Sequence, residues 1–219
     1  MRLHIGKKII GMSAEELDKL YLNEGSEAVL YRLGDTVLKF YKENPLVDRL
    51  SKEDIEYFKT IKCKRFVLPD DSIVDDGDNL VGYSSGYLEE EPFRKIFQMN
   101  GSTIRDEILL LLDDVRLLSK HGIEIDDLHL SNLLVSDNKI YFVDPGGFHR
   151  TDEDFNSLYK INKYRFEKFI VDDLFGSTLA KKNRKKLEMA FSRSSDLCTF
   201  LEEMEDEENI KNFAKKVIR

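Results

Sequence analysis

Apolar and polar positions change their period several times along the chain, and each change marks an element. From Ala28 to Tyr41, AVLYRLGDTVLKFY gives two short runs rich in β-branched and aromatic residues on either side of Leu-Gly-Asp. This predicts a hairpin turning on the Gly-Asp pair. LNEGSE, just ahead, puts a flexible glycine, Gly25, at the hairpin's entrance. In LSKEDIEYFKTIK, Leu50 to Lys62, the residues Ile55, Phe58 and Ile61 recur every third position and lay one apolar stripe on a helix whose other face is charged. SIVDD and LVGYSSGYL read as strands around the turn DGDN, and EEEPF then interrupts the pattern as a connector. The first portion is therefore mostly sheet, with one helix.

Beyond Pro92 the period lengthens. TIRDEILLLLDDVRLLSKHG predicts a long helix that stops at a basic residue, a histidine and a glycine. NLLVS and KIYFVD follow as two short strands around DNK, and the last third, from Asp152 to Arg219, reads as helices with Phe155, Leu158, Phe166, Phe169, Ile170 and Leu174 as core contacts. The change of pattern divides the chain near residues 88 to 92, into a sheet-rich part over 1–88 and a helical part over 89–219. All four prolines (Pro45, Pro69, Pro92, Pro145) fall at element boundaries.

Composition narrows the class. With 219 residues, 41% of them apolar and 11% aromatic, the chain buries a core large enough for one domain or two closely packed lobes. A net charge of -8 argues against a general nucleic-acid binder, so anionic partners need local basic groups. Cys63 and Cys198 are too few and too far apart for a disulfide framework or a zinc site, and fit a reducing interior. The opening segment breaks its apolar runs with charges and offers neither a signal peptide nor a membrane span, so a cytoplasmic location without membrane partners is expected. LEEMEDEEN at 201–209 and KKNRKK at 181–186 read as solvated faces.

Three features carry candidate chemistry. DDLHLSN places Asp127 five positions before Asn132, and Asp144 closes IYFVD against a Pro-Gly-Gly turn seventeen positions after Asp127, room for a strand, a turn and a returning strand. Each stretch alone is also ordinary turn chemistry. Lys39 stands mid-strand between apolar residues in TVLKFY, where an ammonium is costly to bury without a negative partner.

Taken in order, the hairpin with its glycine, the strand lysine, the acidic helix, two strands, a connector, a helix, an Asp-and-Asn loop and a strand ending in Asp resemble a small bacterial member of the protein-kinase-like superfamily. The resemblance covers roughly Leu22 to Phe148. It implies an α+β, two-lobed kinase-like domain, a sheet-rich N-lobe joined to a reduced helical C-lobe, with ATP and Mg²⁺ (or Mn²⁺) in the cleft. Asp127 would accept or orient the proton of the acceptor hydroxyl, and Asn132 and Asp144 would hold the metal bridging the phosphates. Lys39 would hold the α- and β-phosphates, itself held by a helix glutamate, Glu53 in preference to Glu56. Gly25 and Ser26 would cover the phosphates, Val37 and Leu134 would sandwich the base, and the connector from Tyr87 and Leu88 to Glu90 would pair with the adenine edge.

Departures from the family pattern bear on function. The phosphate loop keeps only Gly25, with Asn23 and Ala28 at the other two glycine places. Ile125 and Asp126 stand where many protein kinases have His-Arg, and only seven positions separate Phe148 from the helical pattern at Phe155, so switching by activation-loop phosphorylation is not expected. An enzyme of this kind would be constitutively active or completed by a protein partner. The expected reaction is transfer of the γ-phosphate to Ser or Thr hydroxyls of a protein substrate. DLHLSN is also similar to the loop of aminoglycoside and choline phosphotransferases, with His129 where most protein kinases use a lysine, and a nucleotide-binding scaffold without transfer is a third reading.

Overall fold

A computed structural model describes residues 2–43, 49–89, 91, 95, 96, 99 and 101–175. The fold is α+β, with a large antiparallel sheet and few helices. The chain divides into two compact units: the first gathers the described residues of 1–63, 67–89 and 144–150, and the second those of 64–66, 90–143 and 151–219. Part of Pro92's connector, Cys198, the stretches at 181–186 and 201–209 and the helices expected beyond Phe175 lie outside the described residues.

The first unit is built on a seven-stranded sheet whose strands, in spatial order, are β2 (Lys8–Gly11), β1 (Arg2–Ile5), β6 (Asp71–Val74), β7 (Leu80–Gly86), β5 (Thr36–Tyr41), β4 (Ala28–Leu33) and β3 (Tyr21–Glu24), every neighbouring pair antiparallel. β4 (Ala28–Leu33) and β5 (Thr36–Tyr41) form the expected hairpin, with Gly34 at a positive φ of 62° in its turn. β6 (Asp71–Val74) and β7 (Leu80–Gly86) flank the DGDN turn, where Asp75 accepts from the backbone N–H groups of Gly77 and Asn79. Sequence reading assigned no element to the opening segment. It supplies β1 (Arg2–Ile5), β2 (Lys8–Gly11), a short α1 (Ala14–Asp18) with a Ser13–Glu16 capping box, and the edge strand β3 (Tyr21–Glu24).

Two faces of this sheet have different roles. Leu38 packs with Leu3, Ile5 and Ile73, and Tyr31, Leu33 and Phe40 cover that cluster. Tyr21, Tyr31 and Phe40 continue outward in edge-to-face pairs with centroids 6.3 and 5.5 Å apart. The alternation of β5 sends Val37, Lys39 and Tyr41 to the opposite face. α2 (Lys52–Phe58) begins at a Ser51–Asp54 capping box and turns Ile55 and Phe58 inward, as its apolar stripe requires.

In the second unit α3 (Gly101–Lys120) buries Ile104, Ile108, Leu111, Leu112, Val115 and Leu118, the i, i+3, i+4 face of its pattern, and ends before Gly122 at a φ of 67°. The strands β8 (Ile123–Glu124), β9 (Leu133–Ser136) and β10 (Lys139–Phe142) follow. β9 and β10 pair through a two-residue turn in which both Asp137 and Asn138 have positive φ, the geometry a tight right-twisted hairpin needs. α4 (Phe155–Phe169), capped by Asp154, packs against α3 with Leu158, Phe166 and Phe169 buried; Phe155 is only half-buried and stacks on Tyr159 at 5.7 Å. Ile170 and Leu174, in the π-helical continuation, are buried as well. Buried Asp114 on α3 takes the backbone N–H groups of Lys64, Arg65 and Phe66, which ties that short segment to the helix.

Candidate phosphate and metal site

Lys39 is the centre of the group on the first unit. It is 6% exposed, and its ammonium bonds Asp144 Oδ1 and stands 5.5 Å from the ring centroid of Tyr83, its cross-strand partner on β7. The Tyr83 hydroxyl donates to the same oxygen at 3.3 Å, as does the Gly146 N–H at 3.3 Å. A buried ammonium with a neutralising carboxylate and a facing ring meets the requirement that made this lysine conspicuous in the sequence. Burial first, and then the negative charge of Asp144, raise the Tyr83 pKa well above the ordinary phenol range, so its hydroxyl stays a neutral donor. Tyr41, half-buried beside it with ring centroids 6.1 Å apart, is raised for the same leading reason.

The turn that carries Asp144 is left-handed at that residue, with φ 63°, and continues as a 3-10 turn over Pro145–Gly147. All three of the bonds just named fall on Oδ1, so they leave Oδ2 of a 35%-exposed side chain for another ligand. Gly82, beside Lys39, is obligatory: a Cβ there would stand 1.9 Å from the Lys39 carbonyl oxygen.

The carboxylate that holds Lys39 is therefore Asp144 and not Glu53. Glu53 and Glu56 are both exposed, because Ile55 and Phe58 claim the buried side of α2. Gly25 and Ser26 lie exposed in the loop between β3 and β4, and Val37 is half-buried on the face of β5 that Lys39 uses. The Tyr87 N–H donates to the Asp35 carbonyl at 2.9 Å and its ring lies 3.7 Å under the Arg32 guanidinium, so the first backbone donor of the connector is spent on the neighbouring hairpin. Leu88 is half-buried and Glu89 exposed, while Glu90 lies outside the described residues.

On the second unit, α4 holds the loop that carries Asp127. Asn162 is fully buried; its Oδ1 accepts from the Ile125 N–H at 2.9 Å and its Nδ2 donates to the Ile123 carbonyl at 2.8 Å and to Ser119 Oγ at 2.9 Å. Arg165 donates to the Ile125 carbonyl at 3.0 Å and to Glu124 at 2.7 Å. Two residues on, Asp127 is exposed at a left-handed φ of 58°, with its Oδ1 2.7 Å from His129 Nε2. Asn132 closes the loop: its N–H donates to the His129 carbonyl at 3.0 Å, its carbonyl accepts from Val143 at 2.7 Å, and its Nδ2 reaches the Asp127 carbonyl at 3.5 Å. Asp127, His129 and Asn132 are thus brought together. Leu134 is half-buried, between the fully inward Leu133 and Val135.

Oxygen donors of this type suit magnesium, which accepts one or two carboxylates and keeps waters or phosphate oxygens for the rest of its shell. Among the described residues no group of three or more His, Cys, Asp or Glu side chains gathers to hold an ion. On the first unit Asp144 has Oδ2 outside its protein bonds, and on the second Asn132 Oδ1 carries a 3.4 Å contact from Ser131.

Three residues of these two separate groups escaped sequence reading. Tyr83 becomes visible only once β5 and β7 are in register. Asn162 did leave a signal, since it is a carboxamide on the apolar stripe Leu158, Asn162, Phe166 of α4. Glu27 is the third: its Oε2 and Lys39 Nζ lie 3.8 and 4.0 Å from the point where a Cβ on Gly146 would stand. No protein-family model matches the chain, and no curated protein matches it. The residues themselves therefore carry the functional reading. No helix among the described residues is long and apolar enough to cross a membrane.

Proposed function

We propose that this chain is an ATP-dependent phosphotransferase with a two-lobed protein-kinase-like fold, transferring the γ-phosphate of Mg-ATP to Ser or Thr hydroxyls of a protein. The observation that carries the reading is the pair Lys39–Asp144, 105 residues apart in sequence and joined on the buried face of β5. A buried ion pair is weak support for stability, because apolar side chains of the same volume serve a core as well or better. Its presence, with an oxygen of Asp144 turned out of the pair, is explained by use.

In this scheme Lys39 binds the phosphates that stay with the nucleotide, and Asp144 beside it is a carboxylate ligand for the divalent cation. A magnesium ion held there supplies neutralisation of the phosphate oxygens as charge shifts to the leaving group. Asp127 orients the acceptor hydroxyl and takes its proton, with its backbone geometry fixed by the Asn132 and Asn162 bonds around it. The protein contributes position and charge rather than a covalent intermediate. An acceptor protein and any activating partner belong to the same proposal.

The test is transfer of label from γ-labelled ATP with Mg²⁺ or Mn²⁺, comparing the parent with Asp127→Asn, on the protein itself, on generic protein substrates, and on amino alcohols and aminoglycosides. Label on protein that falls by roughly 10²- to 10⁴-fold in the variant is the expected result. Equal labelling by parent and variant would remove Asp127 from the reaction. Label on a small molecule would make the acceptor an alcohol of that class, consistent with the Asp-Leu-His spelling of the loop, and ATP binding without transfer would leave a nucleotide-binding scaffold.

A further inference from the structure

The loop between β3 and β4 is held closed although it has a single glycine. The Gly25 N–H donates to the Ala28 carbonyl at 2.9 Å, the Lys42 N–H donates to the Glu27 carbonyl at 2.8 Å, and Lys42 Nζ reaches the Gly25 carbonyl at 2.7 Å while pairing with Glu24. These bonds fix the backbone of Glu27 on both sides. Its side chain is half-buried and points to the Lys39–Asp144 pair: the site of a Cβ on Gly146 lies 3.3 Å from Asp144 Oδ1, 3.8 Å from Glu27 Oε2 and 4.0 Å from Lys39 Nζ. The two carboxylate oxygens are thus within about 7 Å of each other, the sum of the first two distances. The charge of Glu27 also reaches buried Tyr83, whose phenol it helps to keep protonated.

Lys39 neutralises Asp144, whereas the Glu27 carboxylate makes no ion pair among the described residues. Among Lys39, Asp144 and Glu27 in this corner, one ammonium stands against two carboxylates, a net negative charge for these three side chains. If the chain is a phosphotransferase, as the inference about Glu27 requires, that is the corner to which a polyanionic phosphate chain must come. An unneutralised carboxylate there opposes binding unless a cation stands between the two. We infer that Glu27 is the residue that makes nucleotide binding conditional on a divalent cation: it repels metal-free ATP, and it gives the metal-loaded nucleotide an oxygen ligand additional to Asp144. Hard divalent ions accept such carboxylates directly or through their waters, and the bonds that already hold the β3–β4 loop present the Glu27 side chain to the pair.

The inference gives effects of opposite sign in one variant. Glu27→Gln keeps the shape of the side chain and removes its charge. Titration calorimetry with ATP, once in excess EDTA and once in saturating MgCl₂, should show metal-free ATP binding tightened by roughly 3- to 50-fold, the range for one unit charge at this separation. Binding in MgCl₂ should weaken, so that the ratio of the two affinities collapses. Glu27→Asp, which keeps the charge, should retain most of the parent's ratio. Mn²⁺ titrated into the ATP complex and followed by electron paramagnetic resonance should bind more weakly in Glu27→Gln than in the parent. ATP binding with the parent's metal ratio in Glu27→Gln overturns this inference and leaves the nucleotide reading standing; no ATP binding by the parent under either condition overturns both.

Discussion

Asn162 offers the sharpest test of how the fold holds the Asp127 loop. Replacing it with Ala removes three hydrogen bonds at a fully buried position. Two of the abandoned partners are backbone groups, the Ile125 N–H and the Ile123 carbonyl, and both residues are 0% exposed, so water cannot take the place of the amide. Leaving a buried polar group unsatisfied costs about 1–3 kcal/mol. Two such groups, with Ser119 still able to donate to the Val115 carbonyl at 2.8 Å, put the expected loss at roughly 2–5 kcal/mol. Against a total stability of about 5–15 kcal/mol this is a large fraction. The chain has no tryptophan, so urea unfolding is followed by far-ultraviolet circular dichroism, with amide exchange at Ile125 as the local readout. Ser119→Ala, which takes away one partner and leaves the two backbone bonds, should cost less than Asn162→Ala. A loss under about 1 kcal/mol for Asn162→Ala, with Ile125 still protected, would refute the claim that this amide holds the loop.

Gly82→Ala should be among the most destabilising single-methyl changes on the sheet, because the Cβ would stand 1.9 Å from the Lys39 carbonyl oxygen and the two strands must part to admit it; a thermal midpoint within about 2 °C of the parent would contradict this. Burial raises the pKa of both Tyr83 and Tyr41 in the folded state, so their contribution to stability is complete below the unfolded phenol value near 10 and is lost as pH climbs from there toward the folded values. Phenolate absorbance should therefore show two tyrosines that ionise only with unfolding, and a Tyr83→Phe, Tyr41→Phe double variant should flatten the alkaline loss of stability; an unchanged alkaline limb would count against the assignment.

Much of the first unit could be read in the sequence because its signals are local. The hairpin of β4 and β5 follows from a Gly-Asp turn between β-rich runs, and α2 follows from an apolar stripe of helical period, as α3 does in the second unit. The first three strands were hidden by their composition. β2 and β3 are only four residues long and largely exposed, and their place in the sheet comes from pairing to β1 and β4 rather than from alternation of their own. The same division runs through the candidate site. Lys39 announced itself by the cost of burying it, and Asp127, Asn132 and Asp144 by their spacing. The partner of Lys39 did not: the expected carboxylate is Glu53 or Glu56, and the rotation of α2, which Ile55 and Phe58 decide, leaves both exposed. Tyr83 and Glu27 reach the pair through strand register and loop closure, neither of which a linear pattern records.

Five described residues other than glycine have positive φ, and all are Asp or Asn. Asp78, Asp137 and Asn138 sit in hairpin turns, where such a conformation is the ordinary requirement of a tight connection. Asp127 and Asp144 do not have that reason. For Asp144 the fold itself supplies one, since the left-handed turn delivers the carboxylate to a buried ammonium, and removing one partner of such a pair costs about 3–5 kcal/mol. For Asp127 it does not: the side chain is exposed, its His129 contact is between two exposed groups, and pairs of that kind contribute little to stability. A backbone conformation that is unfavourable for most side chains, held by the buried amide of Asn162 on one flank and the Asn132 turn on the other, serves a carboxylate that the fold does not use. The two aspartates should accordingly separate on substitution. Asp144 variants lose stability and metal binding together, while Asp127→Asn loses transfer with its unfolding midpoint intact, so a large fall in stability for Asp127→Asn would place that residue in the framework and not in the reaction.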